Sequence, residues 1–245
     1  RDVPNLIWSM YPQATAAYIP VCRELAAGLQ EGDGGAHLIS VHPDPAVASS
    51  SFLHSEPWLA FNMIQTCTAY EQIPAAVTAD YQRVPVKPVV MAEGGYEGVE
   101  FGKQQTALEI RQQAYWTYLA GGHHVYGHNE AWTAPHQWAV WVSAPGAASL
   151  RVFRDILTGL PEWWQMTPDA TLLTAGVGNE ATQNLAARHA AGEWVLVYLS
   201  APGTVSVRLD TLAKNRTCCA VWIDPRDGAR ASIGEVTGQV VTFIS

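Results

Sequence analysis

Five apolar segments alternate with helical patterns over the first 158 residues, and this alternation constrains the fold more than any other feature. The segments are residues 4–10 (PNLIWSM), 36–43 (AHLISVHP), 59–66 (LAFNMIQT), 88–93 (PVVMAE) and 121–128 (GGHHVYGH). Between them lie apolar residues at helical spacing. Tyr18, Val21, Leu25 and Leu29 mark one helix, capped by Thr15 and ended by EGDGG at 31–35. Ile73, Val77 and Tyr81 mark a second. Thr106 and Glu109 form a capping box for a third, whose packed side is Ala107, Leu108, Arg111, Ala114, Tyr115, Tyr118 and Leu119. Leu150, Phe153 and Leu157 mark a fourth, stopped by Gly159. Strand–helix repetition of this kind implies parallel strands joined by crossover helices. The strands are apolar along their length, as expected when both faces of a sheet are covered.

From about residue 165 the pattern changes to short runs separated by Gly, Pro and Asp turns. ATLLTAG, NLAARHA, EWVLVYLS, TVSVRLD, RTCCAVWID, ARASIGEV and QVVTFIS read as strands. The fold class is α/β plus all-β, with residues 1–160 as the parallel part, 165–245 as a small antiparallel β-sandwich, and PEWWQMTPD as the joint.

Net charge of −8 argues against nucleic acid or an anionic membrane as partner. No apolar run reaches the ~18–20 residues of a membrane span. Cys22, Cys67, Cys218 and Cys219 lack metal-ligand spacing. His124 and His128 would share a strand face but lie ~13 Å apart, which argues against a metal pair. No cofactor is expected. Ten tryptophans suit a sugar-lined cleft, and equally a large core. The chain opens on Arg1 rather than Met, so it reads as processed or as part of something longer.

Ligands of parallel α/β layers bind at the carboxyl ends of the strands. Those ends carry Gln13, His42, Asn62 to Gln65, Glu93, and His128-Asn129 with Glu130 and Trp132 beyond. Glu93 stands out as a carboxylate at a rigid strand tip, suited to act as nucleophile or base; the plainer alternative is a salt bridge to a loop. Gly94-Gly95 behind it suggest close approach of a substrate to the backbone, with Tyr96 and Glu97 next in line. For His42 and His54, pocket and structural roles are both open. Arg111 is expected to reach a buried carboxylate.

NLIWSM, HLISVHP, SSSFLHSEPWLAFNMIQT, KPVVMAEGGYEG and RQQAYWTYLAGGHHVYGHNEAW together resemble the apiosidase-like glycoside hydrolases. The tail, FRDILTGLPEWWQMTPD with VYLS and AVWIDPRDG, resembles the β-sandwich that follows that catalytic domain, often labelled collagen-binding. The resemblance implies that the five strands are strands four to eight of a TIM-type (β/α)8 barrel. Strands one to three would then precede Arg1 or lie in a partner half. It implies a carbohydrate substrate or ligand, an extracellular or cell-surface location, and Glu93 as glycosidase nucleophile. The general acid expected at the end of strand four is absent from SMYPQ, leaving Glu97, Glu56, Asp44 or Glu130 as replacements, or a residue outside the chain. A catalytically silent carbohydrate-binding or assembly relative is the alternative.

Overall fold

The structure is a computed structural model that describes residues 3–11, 16–133, 136, 138–212 and 217–245. The first part runs β1 (Ile7–Met10), α1 (Ile19–Asp33), β2 (Leu38–Val41), β3 (Val47–Ala48), α2 (Ser50–Leu53), β4 (Asn62–Gln65), α3 (Ile73–Tyr81), β5 (Val89–Glu93), α4 (Ala107–Leu119), β6 (His123–His124), α5 (Trp138–Trp141) and α6 (Pro145–Thr158). Strands β1 and β2 pair in parallel, as do β4, β5 and β6. The two groups meet through a parallel bridge between Ile39 and Leu59 and a bond from the Ala60 amide to the Ile39 carbonyl at 2.9 Å. The five parallel strands therefore stand in chain order, with β3 added antiparallel to β4.

Several expectations shift. Only His123–His124 of the 121–128 run is strand. The Thr15 cap lies outside the described residues. Helix α1 buries Cys22 and Ala26, whereas Tyr18, Val21 and Leu25 are exposed, so its packed face is rotated from the one expected. Helix α4 keeps its capping box, with Thr106 accepting from the Leu108 amide and Glu109 from the Thr106 amide. It is buried nearly all round rather than on one side: Ile110, Gln112, Gln113, Ala114, Tyr115, Trp116, Thr117 and Leu119 are all inaccessible. A helix buried on every side needs a partner on its outer face as well as the sheet on its inner one.

The C-terminal part provides that partner. It contains β7 (Met166–Pro168), β8 (Leu173–Ala175), β9 (Leu185–His189), β10 (Val195–Tyr198), β11 (Thr204–Arg208), β12 (Cys218–Ile223), β13 (Arg230–Val236) and β14 (Val240–Ile244). These form three antiparallel sheets, β10-β9-β7, β14-β11-β8 and β12-β13. Strand β7 lies within the PEWWQMTPD stretch expected to be a joint. Ala187 and Tyr198 share one core with Met91, Tyr115, Trp116 and Phe153. Tyr115 stacks on Tyr198 with ring centroids 4.2 Å apart. The Trp116 indole donates to Gln183 O at 2.9 Å and to Ser200 Oγ at 3.2 Å, and the Gln112 amide donates to Ala181 O at 2.9 Å. Arg111 donates to the Ser149 hydroxyl at 3.2 Å, and its charge, after the bonds from Arg226, is among the causes that lower the pKa of the Asp224 carboxyl. Among the described residues, no helix is long and apolar enough to cross a membrane.

Candidate functional site

Strand β5 delivers Glu93 as its last residue, and Glu93 pairs in register with Gln65, the last residue of β4. His42 follows β2 directly, its amide bonded to Met10 O at the end of β1. The parallel arrangement thus brings the exits of β1, β2, β4 and β5 to one end of the sheet. His42 Nε2 stands 3.1 Å from Glu93 Oε2, and the Glu93 side chain keeps 25% exposure, so it is neither turned away nor sealed in. Tyr11, at the exit of β1, tilts over His42 with ring centroids 5.2 Å apart.

Tyr96 completes this group. Burial first, then the nearby Glu93 charge, pushes the Tyr96 pKa up to about 12, so the phenol stays protonated. The Tyr96 ring is seated against Gly127, where a Cβ would lie 2.2 Å from its Cδ1. Cys67 joins from the β4 exit with φ of 49°, an uncommon backbone state for a non-glycine residue. Its thiol accepts from Gln65 Nε2 at 3.3 Å. Burial, with a contribution from Glu93, raises the Cys67 pKa and keeps it a thiol. Gln65 Oε1 is buried with no hydrogen-bond partner among the described residues.

The glycines behind Glu93 have a different use from the one the sequence suggested. A Cβ on Gly94 would stand 1.9 Å from Gln113 Oε1, and one on Gly95 would stand 2.4 Å from Gln105 Cδ. The space is filled by these two buried amides, not left open for a ligand. Gln113 Nε2 donates to Gly95 O at 3.2 Å and to Gln105 Oε1 at 2.8 Å; Gln105 donates onward to Lys103 O at 2.9 Å. The pair braces the turn that carries Glu93.

Other expected residues fall elsewhere. Asn62 is the first residue of β4, not its tip; it is fully buried, with Oδ1 3.2 Å from His54 Nδ1. Glu97 is buried and fully engaged, accepting from Tyr126 Oη at 2.7 Å and from the Gly146 amide at the start of α6 at 2.8 Å. A carboxylate at a helix N-terminus suits the dipole. Glu56 accepts from Arg23 at 2.6 Å, and Lys87, just before β5, donates to the Glu56 carbonyl at 2.9 Å. That places Glu56 at the amino end of β5, opposite Glu93. His128 and Asn129 run beside Glu97 through a backbone bridge and an Asn129 amide bond to Glu97 O at 2.9 Å. His128 Nδ1 accepts from the Glu130 amide, and the Asn129 amide side chain donates to Glu130. Trp132 is 68% exposed. Gln13 lies outside the described residues. Tyr11 and Cys67 are neighbours of the His42–Glu93 group that the sequence does not single out; Tyr11, the first residue past β1, is within reach of a strand-end reading. Among the described residues no three His, Cys, Asp or Glu side chains gather as a metal site.

Two solved structures align over the whole chain. A glycoside hydrolase family 5 protein from Bacteroides vulgatus superposes with a TM-score of 0.88 at 23% identity, covering 100% of this chain and 59% of its own. A second structure, titled only as a glycoside hydrolase, gives 0.86 at 23% identity, covering 100% of this chain and 62% of its own. The chain thus spans about three-fifths of the length of these neighbours. No curated protein matches it. Residues 167–244 match a family model described as "Putative collagen-binding domain of a collagenase". Residues 1–165 match the model described as "Apiosidase-like, catalytic domain", and the chain belongs to that apiosidase-like family.

Proposed function

We propose that this chain carries the nucleophile side of a glycoside hydrolase site, with Glu93 as the attacking carboxylate and a carbohydrate as substrate. The single observation behind this is the placement of Glu93 at a parallel strand exit, partly exposed, with His42 3.1 Å from one of its oxygens. Family membership and the fold of the neighbours support the same reading. In the reaction, a Glu93 oxygen bonds to the anomeric carbon as the glycosidic C–O bond breaks, and the leaving oxygen takes a proton from a second carboxylate. His42 and Tyr96 flank Glu93; Gln65 and Tyr11 border it; His128, Asn129 and Trp132 extend the sugar-binding surface. We assign residues 1–160 to the barrel-type part and 165–245 to a β-sandwich.

Of the four acids considered for the proton, Glu97 is buried among its partners and Glu56 is paired with Arg23, leaving Asp44, two residues past His42, and the exposed Glu130, which accepts from the Asn129 side chain. That scarcity favours a second reading, a carbohydrate-binding relative without turnover. A panel of plant and microbial glycans, assayed for released sugar and by calorimetry with wild type and Glu93→Gln, separates the two. Hydrolysis abolished by Glu93→Gln with binding retained supports the nucleophile. Hydrolysis unchanged in Glu93→Gln removes it from the mechanism. Binding without hydrolysis in wild type supports the second reading.

A further inference from the structure

Among the described side chains, Tyr11, Phe101, Trp132 and Trp164 are the most exposed aromatics, each at 66–68%. Trp164 belongs to the joint before β7. The other three sit on the segments that leave β1, β5 and β6, at the end of the sheet that carries Glu93. Each is held there by an anchored backbone. Tyr11 tilts over the His42 ring. Phe101 lies between buried Val99 and Gly102, where a Cβ would stand 2.5 Å from Thr68 Oγ1. Lys103 reaches over the Tyr70 ring at 4.8 Å and pairs with Glu71 at 3.3 Å, which fastens the same segment to the β4 exit. Trp132 follows a turn closed by the Ala131 amide on His128 O at 3.0 Å, and the Asn129 amide ties that turn to Glu97. An aromatic ring left in water forgoes burial, and such rings grouped at one end of a fold mark a binding surface.

We propose that Tyr11, Phe101 and Trp132 are stacking platforms along an extended path, and that the ligand is a chain of several uncharged sugar units crossing Glu93. In the strand order β1-β2-β4-β5-β6, Tyr11 and Trp132 stand on opposite sides of Glu93, so a single sugar could not reach all three rings. A sugar ring has a face of C–H groups that can lie on an aromatic ring while its hydroxyls stay in water. Charge selects against an acidic polysaccharide. The segments leaving the five parallel strands, 11–18, 42–46, 66–72, 94–106 and 125–144, hold one Lys or Arg between them, Lys103, and it is engaged by Glu71 and Tyr70. The same segments carry Asp44, Glu97, Glu100 and Glu130, beside Glu93 itself. A polyanion would meet repulsion there. That the ligand is a carbohydrate rests on the proposed function; the placement of the rings does not.

The test is calorimetry of the full chain, wild type and Glu93→Gln, with sugars from monomer to hexamer prepared from arabinan, xylan, galactan and mannan, and with oligogalacturonates as the acidic series. Affinity for at least one neutral series should rise with length, and the acidic series should bind more weakly. Phe101→Ala and Trp132→Ala should each bind the neutral hexamer about three- to tenfold more weakly, the worth of one aromatic stacking contact. Both are surface positions, so an unchanged melting point certifies the fold of each variant. Affinity that does not grow with length in any neutral series, including no binding at all, overturns the path. So does tighter binding of the acidic series, or wild-type affinity for the hexamer in both ring variants. Length-dependent binding with hydrolysis unaffected by Glu93→Gln sinks the nucleophile and spares the path. Hydrolysis that depends on Glu93 with affinity independent of length does the reverse.

Discussion

Replacing Gly94 by Ala tests whether the two glycines exist to admit a ligand or to admit protein. Glycine is required here by contact, since the added methyl would meet Gln113 Oε1 at 1.9 Å and Gln113 Cδ at 3.1 Å. Non-bonded heavy atoms are comfortable at ~3.5–4.0 Å, so the amide must move. Gln113 is fully buried and holds two bonds, to Gly95 O and Gln105 Oε1, both strained or lost if it rotates away. Overpacking a filled core costs about 1–3 kcal/mol, and two hydrogen bonds at about 1 kcal/mol each add to it. The expected loss is about 3–5 kcal/mol. For a chain of 245 residues, where 1 kcal/mol moves Tm by ~2–4 °C, the melting point should fall by roughly 6–20 °C. Urea denaturation and a thermal melt measure this. Gly94→Ala combined with Gln113→Ala removes the obstacle, so the pair should couple favourably by ~1–3 kcal/mol. A single variant within ~1 kcal/mol of wild type, or strict additivity in the double variant, refutes the packing argument and returns the glycines to a ligand role.

Two further outcomes follow from the packing and charge of the fold. Trp116→Phe keeps the buried ring stacked on Tyr70 but removes the donor to Gln183 O and Ser200 Oγ; urea denaturation should show a loss of about 2–3 kcal/mol, and a change under 0.5 kcal/mol would deny the α4 tie to the C-terminal strands. Asp33 is lowered from 3.8 to about 2, first by the Trp8 indole at 2.8 Å and then by His37 and two backbone amides, against burial. A depressed carboxylate stabilises the fold above its unfolded pKa and loses that contribution as pH falls through its folded one. The difference in urea midpoint between wild type and Asp33→Asn should therefore be constant above about pH 4 and shrink toward pH 2; a flat difference across that range rules the assignment out.

How far the sequence carried the reading depends on the range of the contact concerned. Strands apolar along their length announce a covered parallel sheet, and Thr106 with Glu109 announces a helix start, because both signals sit within a few residues. The burial of α4 was not legible in that way. Its outer face is covered by Ala181, Gln183 and Tyr198, more than sixty positions downstream, and polar Gln112 and Gln113 on that helix look like solvent residues until their partners are known. The site divides along the same line. Glu93, His42 and Gln65 are strand-end residues, so chain order and parallel pairing suffice to bring them together. Glu93 and Glu97, four residues apart, are alike in sequence; they differ because Tyr126 and Gly146, 29 and 49 residues on, claim Glu97 and leave Glu93 partly open. Asn62 was misplaced because β4 starts there rather than three residues earlier, which puts its amide against His54. The glycine pair shows the limit best: a residue with no side chain states that something comes close, and only the structure says that what comes close is Gln113 and Gln105.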